Sequence, residues 1–131
     1  MNREAVSEVS TFIVFLVTLR QHKYKQTASE NMKTKEDIVS NWLPRYTGKE
    51  LSSFGEFILL TNFTHYVETF ARWNDVPVEG KDKNWPSATA EGITIINFGM
   101  GSPNAATVMD LLSSIQPKAV LFLGKCGGLK K

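Results

Sequence analysis

Cysteine is almost absent from this chain: Cys126 is the single one in 131 residues. That excludes an intramolecular disulfide and a zinc site built on cysteines. Histidine is nearly as scarce. His22 and His65 are too few and too far apart in sequence to suggest a metal cluster, so neither a metal nor a cofactor is expected. No charge sign dominates, with 15 basic and 13 acidic residues and a formal net charge of +2. That balance gives no reason to expect nucleic acid or a membrane surface as a partner. Long hydrophobic runs are missing too. The longest, Phe12 to Val17, is far shorter than the roughly 20 residues that span a bilayer. It also makes a poor signal peptide, because Arg3 is offset by Glu4 and Glu8 and no small-residue cleavage site follows. A cytoplasmic protein is the economical reading.

The apolar content of 42% supports a core, and the length suits one domain of ordinary size. Residues 5–19 place Val6, Val9, Phe12, Ile13, Leu16, Val17 and Leu19 on one face of a predicted helix, although the β-branched residues oppose it. Residues 20–31 are polar and basic and read as a linker. The texture changes at Met32. Thr34 followed by Asp37 resembles a capping box, which opens a helix expected to end near Trp42, ahead of Pro44. Residues 1–31 therefore read as an extension, helix plus basic linker, on a domain of residues 32–131.

Phe57-Ile58-Leu59-Leu60 is a short unbroken apolar run, as a buried parallel strand requires. Thr61 to Thr64 form a turn, and Phe63, Val67, Phe70 and Ala71 repeat at helical spacing. Residues 74–90 read as loop, with a short strand at Val76-Pro77-Val78. A strand at 93–98 leads to Ser102-Pro103, expected to cap and begin a helix with Val108, Leu111, Leu112 and Ile115 buried. Pro117 closes that helix, and Ala119 to Leu123 form another strand. Strand, helix and strand in this order imply parallel pairing.

In open parallel sheets, ligands sit outside the carboxyl ends of the strands. Here those ends are Thr61-Asn62, Gly99-Met100-Gly101-Ser102 and Gly124-Lys125-Cys126-Gly127-Gly128. If the strands are neighbours, the loops share one crevice. Gly99 and Gly101 permit close approach to the backbone, and the helix start at Ser102 offers free amides to an anion. The same residues also suit a tight structural turn. This is not the dinucleotide fingerprint, whose third glycine is missing. Lys125 has two readings, a phosphate partner in the crevice or a solvated loop-tip lysine. Cys126 has no local histidine to activate it, which favours a small buried thiol over a nucleophile. His65 reads as a surface residue, and Trp42, Trp73 and Trp85 as packing residues.

Glu56-Phe-Ile-Leu-Leu-Thr-Asn-Phe63, Gly92-Ile-Thr-Ile-Ile-Asn-Phe-Gly-Met-Gly-Ser-Pro-Asn-Ala-Ala106 and Pro117-Lys-Ala-Val-Leu-Phe-Leu-Gly-Lys-Cys-Gly-Gly-Leu129 closely resemble the bacterial AMP nucleosidases, within the nucleoside phosphorylase superfamily. The resemblance runs from Met32 to the end. It implies a three-layer α/β/α fold with a mostly parallel sheet, a homo-oligomer (a hexamer in the intact family), and hydrolysis of AMP to adenine and ribose 5-phosphate. The substrate-binding candidates it suggests are Asn62, Met100, Gly101, Ser102, Lys125, Cys126 and Gly127. Cleaving a sugar–base bond passes through an oxocarbenium-like state. The site must therefore stabilise charge on the sugar and protonate the departing purine.

Departures from the related phosphorylases are informative. Those enzymes carry a glycine just after the first strand and an arginine four residues on, where this chain has Asn62 and Tyr66. Phe122 replaces a further arginine, and Lys125 a serine. Losing bidentate arginine grips on inorganic phosphate favours water as the nucleophile, with Lys125 serving either the nucleotide's own phosphate or that water. A purine nucleoside phosphorylase-like transferase is thus the weaker alternative. The family's ribose-binding Met-Glu segment and purine-protonating aspartate are expected beyond Lys131, and no catalytic residue is identifiable within the chain. The expectation is therefore a truncated fold, the N-terminal part of a catalytic domain that is inactive alone. A non-catalytic nucleotide-binding or oligomerising fragment is the alternative from another class.

Overall fold

The computed structural model describes residues 34–113 and 115–125, together with the backbone of residues 14–17. Its elements in chain order are β1 (Val14–Val17), α1 (Lys35–Thr47), a 3-10 turn (Leu51–Ser53), β2 (Phe57–Thr61), α2 (Thr64–Trp73), β3 (Ser87–Ala90), β4 (Ile93–Asn97), α3 (Ser102–Leu112) and β5 (Ala119–Leu123). They build one sheet in the order β1-β5-β2-β4-β3.

The three central strands, β5, β2 and β4, are parallel, and β1 and β3 pair antiparallel on the two edges. Helices cover both faces. Leu43 of α1 and Val108, Leu111 and Leu112 of α3 are buried with Ile58, Leu60, Ile96 and Val120 in one cluster. Val67 and Ala71 of α2 are buried with Ala88 and Ile95 in the other. Ile58 and Leu60 thus face one layer while Leu59 faces the opposite one, which is why β2 had to be apolar at successive positions. The expected three-layer α/β/α arrangement is present.

The capping box at Thr34 forms as expected. Thr34 Oγ1 accepts from the Asp37 N–H at 3.2 Å, and the Asp37 carboxylate accepts from the Thr34 N–H at 3.1 Å. The helix does not stop near Trp42, however. It continues through Pro44 to Thr47 and closes at Gly48, whose φ of 70° places it in the left-handed region. Tertiary contacts of the last turn outweigh the proline. Leu43 and Thr47 are buried, and the Tyr46 ring stacks on Trp85 with centroids 4.4 Å apart. The Tyr46 carbonyl also accepts from the Trp85 N–H at 2.8 Å.

Other local expectations need correction. Val14–Val17 is a strand, not helix, and the rest of the 5–19 segment lies outside the described residues. β-Branched and aromatic residues suit extended backbone, and the free edge of β5 supplies the partner. Residues 76–78 form no strand, whereas Ser87–Ala90, expected as loop, does. Ser102 is not the cap of α3. Gly101 takes that place, with Ser102 and Pro103 inside the first turn, and α3 ends at Leu112, well before Pro117. Among the described residues no helix is long and apolar enough to cross a membrane.

Candidate functional site

Register brings the strand ends together. Thr61 is level with Asn97 on one side and Leu123 on the other, so the loops after β2, β4 and β5 emerge side by side. Between them lies a hollow of about 440 Å³, a size that suits a small molecule. Asn62, Gly99, Gly101 and Ser102 form its polar and backbone lining. Leu60, Phe98, Ala105, Met109, Val120 and Phe122 form the apolar remainder. A smaller hollow of about 270 Å³ lies at the other end of the sheet, around Phe54, Gly55, Ile115 and Lys118, away from the glycine loops.

The loop after β4 takes its shape from two glycines. Gly99 has φ of 80° and Gly101 of 94°, conformations that L side chains rarely adopt. They turn the chain sharply from β4 into α3. No side chain caps the α3 start, so its first amide groups are not satisfied by a cap. Asn97 fixes the loop from behind. Its Oδ1 accepts from the Gly99 N–H at 3.0 Å, and its Nδ2 donates to Thr64 Oγ1 at 3.0 Å. The loops after β2 and β4 are therefore joined through one side chain.

The third loop is shaped by a close approach. A Cβ on Gly124 would stand 2.6 Å from Cε1 of Phe122, whose ring tilts against Phe98 with centroids 5.9 Å apart. Lys125 follows. It is exposed, and its Nζ sits 5.2 Å from the Phe63 ring centre and 5.5 Å from that of Tyr66. Asn62 Oδ1 and the Tyr66 hydroxyl are buried without hydrogen-bond partners among the described residues.

Asn62, Gly101 and Ser102, singled out from sequence, thus share one hollow. Met100 does not line it; its side chain is 77% exposed on the outside of the turn. Lys125 is exposed and is not among the residues lining the hollow, and Cys126 and Gly127 lie outside the described residues. Phe98 and Met109 escaped the sequence reading, because apolar residues at strand ends and on helices look like core; Phe122 stood out there only as the replacement for an arginine. Of the tryptophans, Trp85 packs as expected, Trp42 is exposed on α1, and Trp73 is 80% exposed. His65 is exposed, as expected.

No family model matches the chain. A crystal structure of AMP nucleosidase from Bacteroides thetaiotaomicron VPI-5482 is similar to it at 60% identity and a TM-score of 0.67, over 69% of this chain and 39% of that one. AMP nucleosidases from Escherichia coli strains K12 and O157:H7 are 30% identical over 68% of this chain. The chain is related to the AMP nucleosidases. It spans about a quarter of the length of the E. coli relatives (26%). The expected nucleoside phosphorylase-like fold agrees with the three-layer architecture and the structural likeness.

Proposed function

We propose that the crevice at the ends of β2, β4 and β5 binds AMP, and that the protein serves hydrolysis of its N-glycosidic bond to adenine and ribose 5-phosphate. The observation that carries this reading is the convergence of the three loops on one hollow in a chain 60% identical to a known AMP nucleosidase. Lys125, on the loop after β5, supplies a cation, and the uncapped start of α3 supplies amide donors for the nucleotide phosphate. Asn62 offers a buried acceptor to a ligand donor. Gly101 and Ser102 in the hollow, Met100 beside it in the same turn, and Cys126 and Gly127 complete the proposed contact set. Phe98 and Phe122 favour a flat apolar group nearby.

Among the described residues lining the hollow there is no acid to protonate a departing purine. The chain by itself is therefore assigned binding rather than turnover. Residues 32–131 are taken as part of a catalytic domain and 1–31 as an addition to it. A homo-oligomer in the cytoplasm, hexameric as in the family the sequence resembles, is the corresponding setting.

Calorimetric titration of the chain with AMP and with adenosine tests this reading. A charge-assisted contact to phosphate makes AMP bind about 10-fold or more tighter than adenosine. Lys125→Ala should remove most of that difference. Equal affinity for both ligands, unchanged by Lys125→Ala, would rule out the phosphate assignment.

A further inference from the structure

The Lys125 ammonium lies over two aromatic rings, Phe63 in the loop after β2 and Tyr66 in α2. Phe63 is the extended residue just before α2 and Tyr66 lies in its first turn, three residues on. Their rings meet edge to face at 5.4 Å, with an interplanar angle of 70°. Lys125 reaches them because β5 and β2 are adjacent and parallel, which brings the residue after β5 beside the helix after β2. Both Nζ–ring distances fall within the roughly 6 Å at which a cation is attracted by a ring face.

A lysine at a loop tip ordinarily spreads its ammonium over many rotamers in water. Two ring faces in one place narrow that spread. The Tyr66 hydroxyl makes no hydrogen bond among the described residues, so the ring is the part of Tyr66 that the ammonium meets. We propose that Phe63 and Tyr66 form a cradle holding the Lys125 ammonium beside the loop after β2, which makes Tyr66 a positioning residue for that charge. The consequence for ligand binding rests on the AMP reading above; the cradle itself does not.

Reductive dimethylation with 13C-formaldehyde keeps lysines cationic and gives each a resolved NMR signal, with Lys125 assigned by Lys125→Arg. Through the ring currents, the cradle places the Lys125 signal upfield of the lysines with no ring beside them; Lys49 and Lys118, 5.7 and 6.0 Å from the Phe54 and Phe57 ring centres, are assigned by their own Arg variants and left out of that comparison. Tyr66→Leu should move it toward them, and Tyr66→Phe, which keeps the ring, should leave it displaced. In parallel, AMP affinity should fall about threefold in Tyr66→Leu and stay unchanged in Tyr66→Phe. A Lys125 signal among the ordinary lysines of the unmutated chain, or one unmoved by Tyr66→Leu, overturns the cradle. If Lys125→Ala leaves AMP affinity unchanged, the phosphate role of Lys125 fails and the ring-current displacement alone decides the cradle. If Lys125→Ala weakens AMP binding while Tyr66→Leu does not, the positioning role fails and the AMP assignment stands.

Discussion

Asn97 and Thr64 are joined across two loops by a 3.0 Å hydrogen bond from Nδ2 to Oγ1, while the Asn97 oxygen accepts from the Gly99 N–H. Asn97 ends β4 and Thr64 begins α2. One side chain therefore sets the spacing of two walls of the crevice. Two hydrogen bonds of ordinary strength contribute about 1 kcal/mol each. Asn97→Ala should lower stability by about 2 kcal/mol in urea denaturation and speed amide exchange at Gly99. Asn97→Asp keeps the acceptor, so exchange at Gly99 should stay slow. Equal acceleration in both variants would show that the side chain does not pin the loop.

Met100, in the glycine turn, and Leu112, at the far end of α3, are both apolar but have opposite surroundings. Leu112 is fully buried, and Leu112→Ala should cost about 2–5 kcal/mol through the cavity it leaves. Met100 projects into solvent, and Met100→Ala should change stability by less than about 0.5 kcal/mol. If AMP affinity nevertheless falls in Met100→Ala, the exposed side chain belongs to the ligand.

At the opposite end of the sheet, Lys49 is buried and forms an ion pair with Glu79, and its Nζ donates to Thr89 Oγ1 at 2.6 Å. The pair is lopsided: the Lys49 side chain is 1% exposed and that of Glu79 41%. Removing the carboxylate strands a buried charge, so Glu79→Gln should cost about 3 kcal/mol. Lys49→Met leaves only a half-solvated carboxylate and should cost less. Thermal or urea unfolding of the two variants ranks them, and the reverse order would contradict the burial argument.

β1 covers one edge of β5 with a register from Val14↔Leu123 to Val17↔Val120. Deleting residues 1–31 should therefore expose that edge and lower amide protection along Ala119–Leu123, leaving β4 protected by its own neighbours. Unchanged protection in β5 would mean that the first segment adds nothing to the sheet.

The elements legible in sequence were those whose local chemistry and tertiary setting agree. β2 and β5 are apolar runs and β4 one interrupted by Thr94, all set between two helical layers, and the Thr34–Asp37 box opens α1 as expected. Ser87-Ala88-Thr89-Ala90 carries no apolar signature of a strand; pairing with β4, from Ser87↔Ile96 to Ala90↔Ile93, makes it one. Pro44 signalled an end to α1 that burial of Leu43 and Thr47 overrode. In the crevice, the glycine turn was visible because positive φ demands glycine. The contact of Lys125 with Phe63 and Tyr66 was not visible, because it depends on which strands are neighbours.

Backbone amide shifts recorded during an AMP titration test the binding crevice most directly. Saturable changes should cluster at Asn62, Gly99 to Ser102 and Gly124-Lys125, and be small around Lys49, Glu79 and Thr89. No change at the three loops, or changes centred on the Lys49 end of the sheet, would contradict AMP binding at the ends of β2, β4 and β5.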